Sequence, residues 1–416
     1  MPIDQSYARG LAGMQLTPAS IAGWIVDAAM LLSTIVFSEP AIADAMMIGV
    51  IVAVPALGAG RFGKAALLNM AAWLVIVALG LAGTMLSTNF DTGFKHQLVT
   101  LFLAVGSFVL SGYVSADPEP RFNLIMWCYA GACLIATLAA FTGYFHIVPD
   151  AYDLFTNYGR ARGTFKDPNV YGAALAPALT FAVWVMLRQP AKRVWVAALL
   201  AMPLALGLLI SFSRGAWISA AISIAMLLWL ALVRSRRQQD FRRLGLLGLI
   251  GGLSFIAVLF AALQIDQVKV LLDERASMDQ SYDVGPDGRF GGQEKARALI
   301  LAHPFGIGTH TFRDSYHHEE PHNVYLSMFL NAGWLGGLAY IFSIVFTLSI
   351  GLKTAFRHGA LQGPLIVASS AFAGVAFEGF VIDSDHWRHV FMLMALIWGL
   401  VDAGDVRFNP QRRRDD

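Results

Sequence analysis

Uncharged apolar runs of about 20 residues recur along the whole chain, and no other feature constrains its fold as strongly. The hydrocarbon core of a bilayer, roughly 30 Å thick, takes about 20 apolar residues per helix. Inside it every backbone N–H and C=O must be paired within the protein, and helices meet that demand segment by segment. Of the 416 residues, 56% are hydrophobic and only 14% charged, which removes the soluble classes. The expected fold is an all-α polytopic membrane protein, a single integral-membrane domain over residues 1–416 with about twelve transmembrane helices. The spans are expected roughly at 18–37, 41–59, 65–86, 97–116, 122–143, 169–187, 194–211, 215–233, 244–264, 322–350, 362–382 and 388–404.

Orientation follows from the basic residues. With the N-terminus inside, the inner connections collect most of the 30 Lys and Arg, and "RSRRQQDFRR" at 234–243 is the strongest anchor. Both termini are expected to be cytoplasmic. The first 17 residues hold one Arg and no apolar run, so the first span is expected to stay as an anchor. Topology accounts for the basic clusters and the net charge of +2, so no nucleic-acid partner is expected. Cys128 and Cys133, five apart within one span, form no metal pair.

Two substantial loops face outward, a smaller one at 144–168 and a large one at 265–321, so function is expected on that side. In the large loop, Ala296, Leu299 and Ile300 fall on one helical face and Glu294, Lys295 and Arg297 on the other. A short amphipathic helix there would roof a cavity. Every even-numbered span starts at the outer face, so helix N-termini, with their unsatisfied N–H groups and partial positive charge, gather on one side.

The outward motifs carry the chemistry. In "GRARGTFKDPNVYG", 159–172, Asp167 caps a helix opened by Pro168, with Arg160, Arg162 and Lys166 ahead of it and Asn169 in its first turn. The plainer reading is a solvated loop with a good cap. In "SFSRGAW", 211–217, Arg214 stands in a tight hairpin between two apolar spans, where a charge is costly and normally paired or functional. At a helix start it grips a phosphate through both its guanidinium and the helix end. "HEEPH", 318–322, matches a zinc signature in letters only, because Pro321 prevents His318 and His322 from sharing a helical face. Proline here is expected to open the tenth span, with His322 inside its first turn beside Asn323 and Tyr325. Nearby positive charge favours the neutral, proton-accepting imidazole of His322. "DSDHWRH", 383–389, groups Asp383, Asp385, His386 and His389, but Trp387 reads as an interface anchor, and no metal ligands are assigned.

"RGTFKDPNVYGAAL", "SFSRGAW", "GRFGGQEKARALILAHPFGIGTHTF" and "PHNVYLSMFLNAGWLGGL" together resemble the O-antigen ligase and polymerase superfamily of bacterial membrane glycosyltransferases, over roughly residues 160–345. The resemblance implies a lipid-dependent, GT-C-like helical bundle in the bacterial inner membrane with its active site in the periplasm. It implies a donor glycan carried on undecaprenyl diphosphate and transfer to an acceptor hydroxyl, with no nucleotide sugar, metal or other cofactor. The acceptor is the lipid A core in ligases and another lipid-linked glycan in polymerases. Arg214 matches the family's arginine near the donor diphosphate, Arg289 a second essential arginine in the large loop, and His322 the histidine that activates the acceptor. Arg160, Arg162, Asn169, Asn323 and Tyr325 are expected to bind substrate.

The residue types fit that chemistry. Fixed cations and helix ends in a water-poor cleft stabilise a departing diphosphate, and attack from the opposite face inverts the anomeric centre. The competing class is a secondary transporter. Transporters place ionisable residues near the midplane of paired half-bundles, whereas here the charges cluster at the outer boundary, with Asp27 in the first span and Glu378 in the eleventh as the exceptions.

Overall fold

The computed structural model describes residues 17–189, 194–234, 285–357 and 359–408, with isolated positions at 242, 245, 246 and 260. The predicted ninth span is therefore almost wholly outside the described residues, as are loop residues 265–284 and the terminal segments. The described chain is mostly helical. Its helices are α1 (Pro18–Leu31), α2 (Ile42–Ala56), α3 (Lys64–Thr84), α4 (Phe90–Ala116), α5 (Pro118–Tyr144), α6 (Ala151–Phe155), α7 (Pro168–Arg188), α8 (Val194–Ile210), α9 (Arg214–Arg234), α10 (Arg289–Ala302), α11 (Thr311–Ser315), α12 (Val324–Ala355), α13 (Gln362–Glu378) and α14 (Arg388–Phe408). A two-stranded ribbon, β1 (Thr156–Asn157) with β2 (Arg160–Ala161), interrupts the smaller loop. Each predicted span other than the ninth coincides with a helix. Six of the described helices are long and apolar enough to cross a membrane. Large apolar side chains such as Val52, Leu335 and Phe342 remain exposed on the flanks, as a lipid-facing surface requires.

Local sequence sets several helix starts. Thr17 and Ser20 form a capping box at α1. Asn89 Oδ1 caps α4 through Thr92 N, and Asp167 Oδ1 caps α7 through Asn169 N with Pro168 in the first position, as expected. The start of α3 has no such local cap. Asp402 of α14 supplies one from across the bundle, accepting from Ala65 N at 2.8 Å and Ala66 N at 3.0 Å.

The helices alternate in direction, so two ends of the bundle can be followed by contacts. At one end Arg121 reaches Ala59 O and Tyr113 O, Arg188 lies over Trp184, and Arg234 over Phe356. At the other, hereafter the site end, Val36 N bonds Thr164 O, Arg388 pairs with Asp44, and Ser327 donates to Asp383. The N-termini of α2, α4, α7, α9, α12 and α14 gather there, as the even-numbered spans predicted.

α10 is the expected amphipathic helix. Ala296 is fully buried and packs with Ile307, Phe312 and Leu330, backed by Leu299 and Ile300, while Glu294 and Arg297 are exposed. The loop after it docks into a break in α12. Gly333, at φ 70° and ψ −174°, interrupts the helix, and the freed Leu330 carbonyl accepts from Ile307 N at 2.8 Å and Gly308 N at 3.2 Å. Trp334 N donates in turn to Pro304 O at 2.8 Å, so both sides of the break are paired. The single span expected at 322–350 is therefore two helical pieces with a loop seated at the break between them.

Gly333→Ala should therefore destabilise the fold. That backbone conformation is essentially restricted to glycine, at a cost of about 1–3 kcal/mol, and a Cβ would lie 2.7 Å from Pro304 O. The expected result is a lower unfolding temperature by tryptophan fluorescence in detergent. An unchanged midpoint would mean that the docked loop contributes nothing to stability.

Candidate active site

Arg160 of β2 is buried, and its guanidinium joins two other elements: Nε donates to Ser211 O at 2.8 Å and Nη2 to Asn169 Oδ1 at 2.6 Å in the first turn of α7. It thereby fixes the turn that precedes Arg214. In that turn Phe212 adopts a left-handed backbone (φ 47°), and Ser213 Oγ accepts from Ala216 N at 3.4 Å as the cap of α9. Arg214 is the first residue of the helix, as expected. The helix dipole opposes a cation at that position, so the macrodipole itself gives no reason for an arginine there. Arg162 is more exposed and donates to Asp153 O and Lys166 O at 3.3 and 3.4 Å.

His322 does not lie inside the first turn of α12, contrary to the sequence expectation. Residues 317–323 are non-helical, and His322 has a left-handed backbone (φ 49°) one residue before the cap. The reason is local. The Asn323 side chain accepts from Tyr325 N at 3.1 Å and Leu326 N at 3.2 Å, which makes Asn323 the cap and leaves His322 outside the helix. The imidazole therefore projects from the 317–323 turn rather than from the helix, and its Nε2 lies 3.0 Å from Glu319 Oε2. A strained non-glycine conformation next to a titratable pair is typical of functional positions. Tyr325 acts as a clamp: its hydroxyl donates to Ala376 O at 2.6 Å and its ring packs on Phe380.

The end of α13 connects the two motifs. Val324 N, two residues after His322, donates to Gly379 O at 2.9 Å and Ile382 O at 3.3 Å. On the other flank, Gly215, next to Arg214, lies so close to Glu378 and Val381 that a Cβ would touch both at 3.2–3.3 Å. Glu378 is buried at this end of the bundle, away from the midplane position a transporter would use. α10 closes the third side: Gln293 Nε2 donates to His322 O at 3.4 Å, and Gly292 faces the His317 ring. Arg289, first in α10, is one helical turn before Gln293 and so lies on the same face. The structure thus brings the elements bearing Arg214, Arg289 and His322 to one place.

Sequence reasoning missed two partners of this site. Glu319 has no assigned role in the sequence reading, although its three-residue spacing from His322 is a usable signal. Asp383 was noticed only as one member of "DSDHWRH". It accepts from Ser327 Oγ at 2.6 Å, in the first turn of α12. Burial and the neighbouring Asp385 push its carboxyl above the ordinary range, against the pull of Ser327 and His322. Burial also opposes ionisation of Asp385, but His386 and His96 outweigh it and hold that carboxyl low.

Beyond Asp383 lies a cavity of about 230 Å³, walled by apolar side chains of α1, α2 and α4 and reached by Lys166, Asp167, Asp385 and Arg388. Arg214, Arg289 and His322 do not line it. It is a neighbour of the site that shares Asp383 with it, and its charged lining is partly neutralised because Arg388 forms a two-pronged pair with Asp44 at 2.7 and 2.8 Å.

Residues 199–341 match the family model described as O-antigen ligase. The matched segment is about a third of the chain and contains the "SFSRGAW" turn, α10 and the "HEEPHN" stretch. No curated protein matches the chain.

Proposed function

On the premise that the chain falls in the O-antigen ligase superfamily, we propose that it transfers a glycan from undecaprenyl diphosphate to an acceptor hydroxyl of the lipid A core. The reaction takes place at the periplasmic face of the bacterial inner membrane, in a bundle of twelve spans with both termini cytoplasmic. The observation that carries the reading is the meeting of the Arg214 turn and the His322–Glu319 pair on either side of the end of α13.

In this mechanism Arg214 and Arg289 bind the donor diphosphate and take up the charge that develops as the anomeric C–O bond breaks. His322 removes the proton from the acceptor hydroxyl. A carboxylate only accepts, so Glu319 holds the proton of the neutral imidazole on Nε2, and Nδ1 is the nitrogen with the lone pair. Glu319 then stabilises the imidazolium as it forms, as the carboxylate of a hydrolase triad does. The leaving diphosphate is neutralised by arginine, so no metal at the reacting atoms is required. Attack opposite the diphosphate inverts the anomeric carbon. Arg160 and Asn169 position the Arg214 turn, and Arg162, Asn323 and Tyr325 are assigned to substrate binding.

The test is an assay with purified protein, a glycan linked to a lipid diphosphate, and one of two acceptors. A single larger product formed only with the lipid A core is the expected result. A ladder of lengthening lipid-linked products would instead identify a polymerase, which uses the same donor chemistry. No product with either acceptor from folded protein would overturn transfer to a lipid-borne acceptor and return attention to the transporter reading.

A further inference from the structure

His96 of α4 meets Asp385 and His386 of the turn between α13 and α14, close to the site but outside the transfer chemistry. His96 Nε2 lies 3.0 Å from Asp385 Oδ2, which is 4.0 Å from His386 Nε2. One ligand atom from each residue falls within 4.8 Å of the other two. Thr100, one turn beyond His96 on α4, places its Oγ1 2.9 Å from His386 Nε2. All three side chains are largely shielded, at 11%, 12% and 28% exposure.

Donors held about 2.0–2.1 Å from a tetrahedral ion are roughly 3.4 Å apart. The observed separations bracket that value, so small side-chain rotations admit an ion. Two imidazoles and a carboxylate favour first-row ions such as Zn²⁺ or Co²⁺ over Mg²⁺ and Ca²⁺, which prefer oxygen shells. Asp385 and His386 line the cavity of about 230 Å³, which supplies an approach path and room for a water ligand. The adjacent Arg388, which would repel a dication, is already paired with Asp44. His310 supports the far side, with its ring edge-on to His96 at 5.1 Å and its Nδ1 held 2.8 Å from Glu320 Oε1.

We propose that His96, Asp385 and His386 form a binding site for one first-row divalent cation of the zinc class. The ion ties the 383–387 turn to α4. It thereby holds Asp383 against Ser327 at the start of α12, and it takes no part in the transfer step itself.

The experiment uses full-length protein in detergent, treated with chelator, dialysed and titrated with Co²⁺ while its visible absorption is followed. No substrate is present, so the outcome is independent of the transferase reading. The expected result is one equivalent of Co²⁺ with a ligand-field band that Zn²⁺ displaces. His96→Ala and His386→Ala should each weaken binding by about 100-fold or more, the upper end of what losing even an outer-shell partner costs. His318→Ala, at an exposed position, should bind as the parent does. Folded parent protein that takes up no stoichiometric Co²⁺ or Zn²⁺ overturns the proposal, even if the variants prove unstable. So does binding that survives both ligand substitutions, or that is lost on replacing His318.

Discussion

His322→Ala should lower the turnover of glycan transfer by about 10²- to 10⁴-fold, the contribution a positioned general base makes, while leaving the KM for the lipid-linked donor near the parental value. The split follows from the geometry. His322 acts on the acceptor proton, whereas the diphosphate is assigned to Arg214 and Arg289. The variant should fold, because the cap of α12 belongs to Asn323, which bonds Tyr325 N and Leu326 N without help from the imidazole. Turnover at the parental rate would remove His322 from the mechanism. An equal loss in the unfolding midpoint would instead make it a structural residue of the 317–323 turn.

Arg214→Ala should also cost about 10²–10³ in kcat/KM, comparable with losing one oxyanion donor, and here the donor KM should rise as well. A guanidinium offers a planar fork to phosphate oxygens that lysine does not reproduce, so Arg214→Lys should recover only part of the loss. The substitution leaves the local structure its main supports. Ser213 caps α9, Trp217 Nε1 bonds Leu208 O at 2.8 Å, and Arg160 anchors Ser211. Steady-state kinetics over a donor series separates the two effects. Unchanged kcat/KM for Arg214→Ala would mean that the diphosphate is held elsewhere, with Arg289 the next residue to test.

The two motifs also reach the site by different routes. "SFSRGAW" is a local device: a turn residue in the left-handed region, a serine cap and an arginine at the first helical position, all within four residues. Its placement at a helix start was legible from the sequence. His322 was harder to place. Pro321 signals a helix start, but Asn323 is the stronger cap and lies two residues on, and competition between neighbouring start signals is decided by hydrogen bonds that letters do not show. The same limit explains the break at Gly333. A glycine in an apolar run reads as a tolerated residue until the segment 304–308 is seen to pair the backbone groups it frees.

The sequence by itself determined that the chain is a mostly helical, multi-span membrane protein, where its described helices run, and that the motifs proposed to act together lie at one set of helix ends. These follow from hydropathy and from capping chemistry, which act over a few residues at a time. Only the tertiary structure decided which ends touch. His96 on α4 and Asp385 and His386 of "DSDHWRH" lie far apart in the chain, and only the packing of α4 against α14 brings His96 Nε2 to 3.0 Å from Asp385 Oδ2. Likewise, Asp402 caps a helix that begins at Lys64, far away in the chain. Such contacts depend on how rigid helices pack side by side, and nothing in the local sequence around either partner encodes the distance to the other.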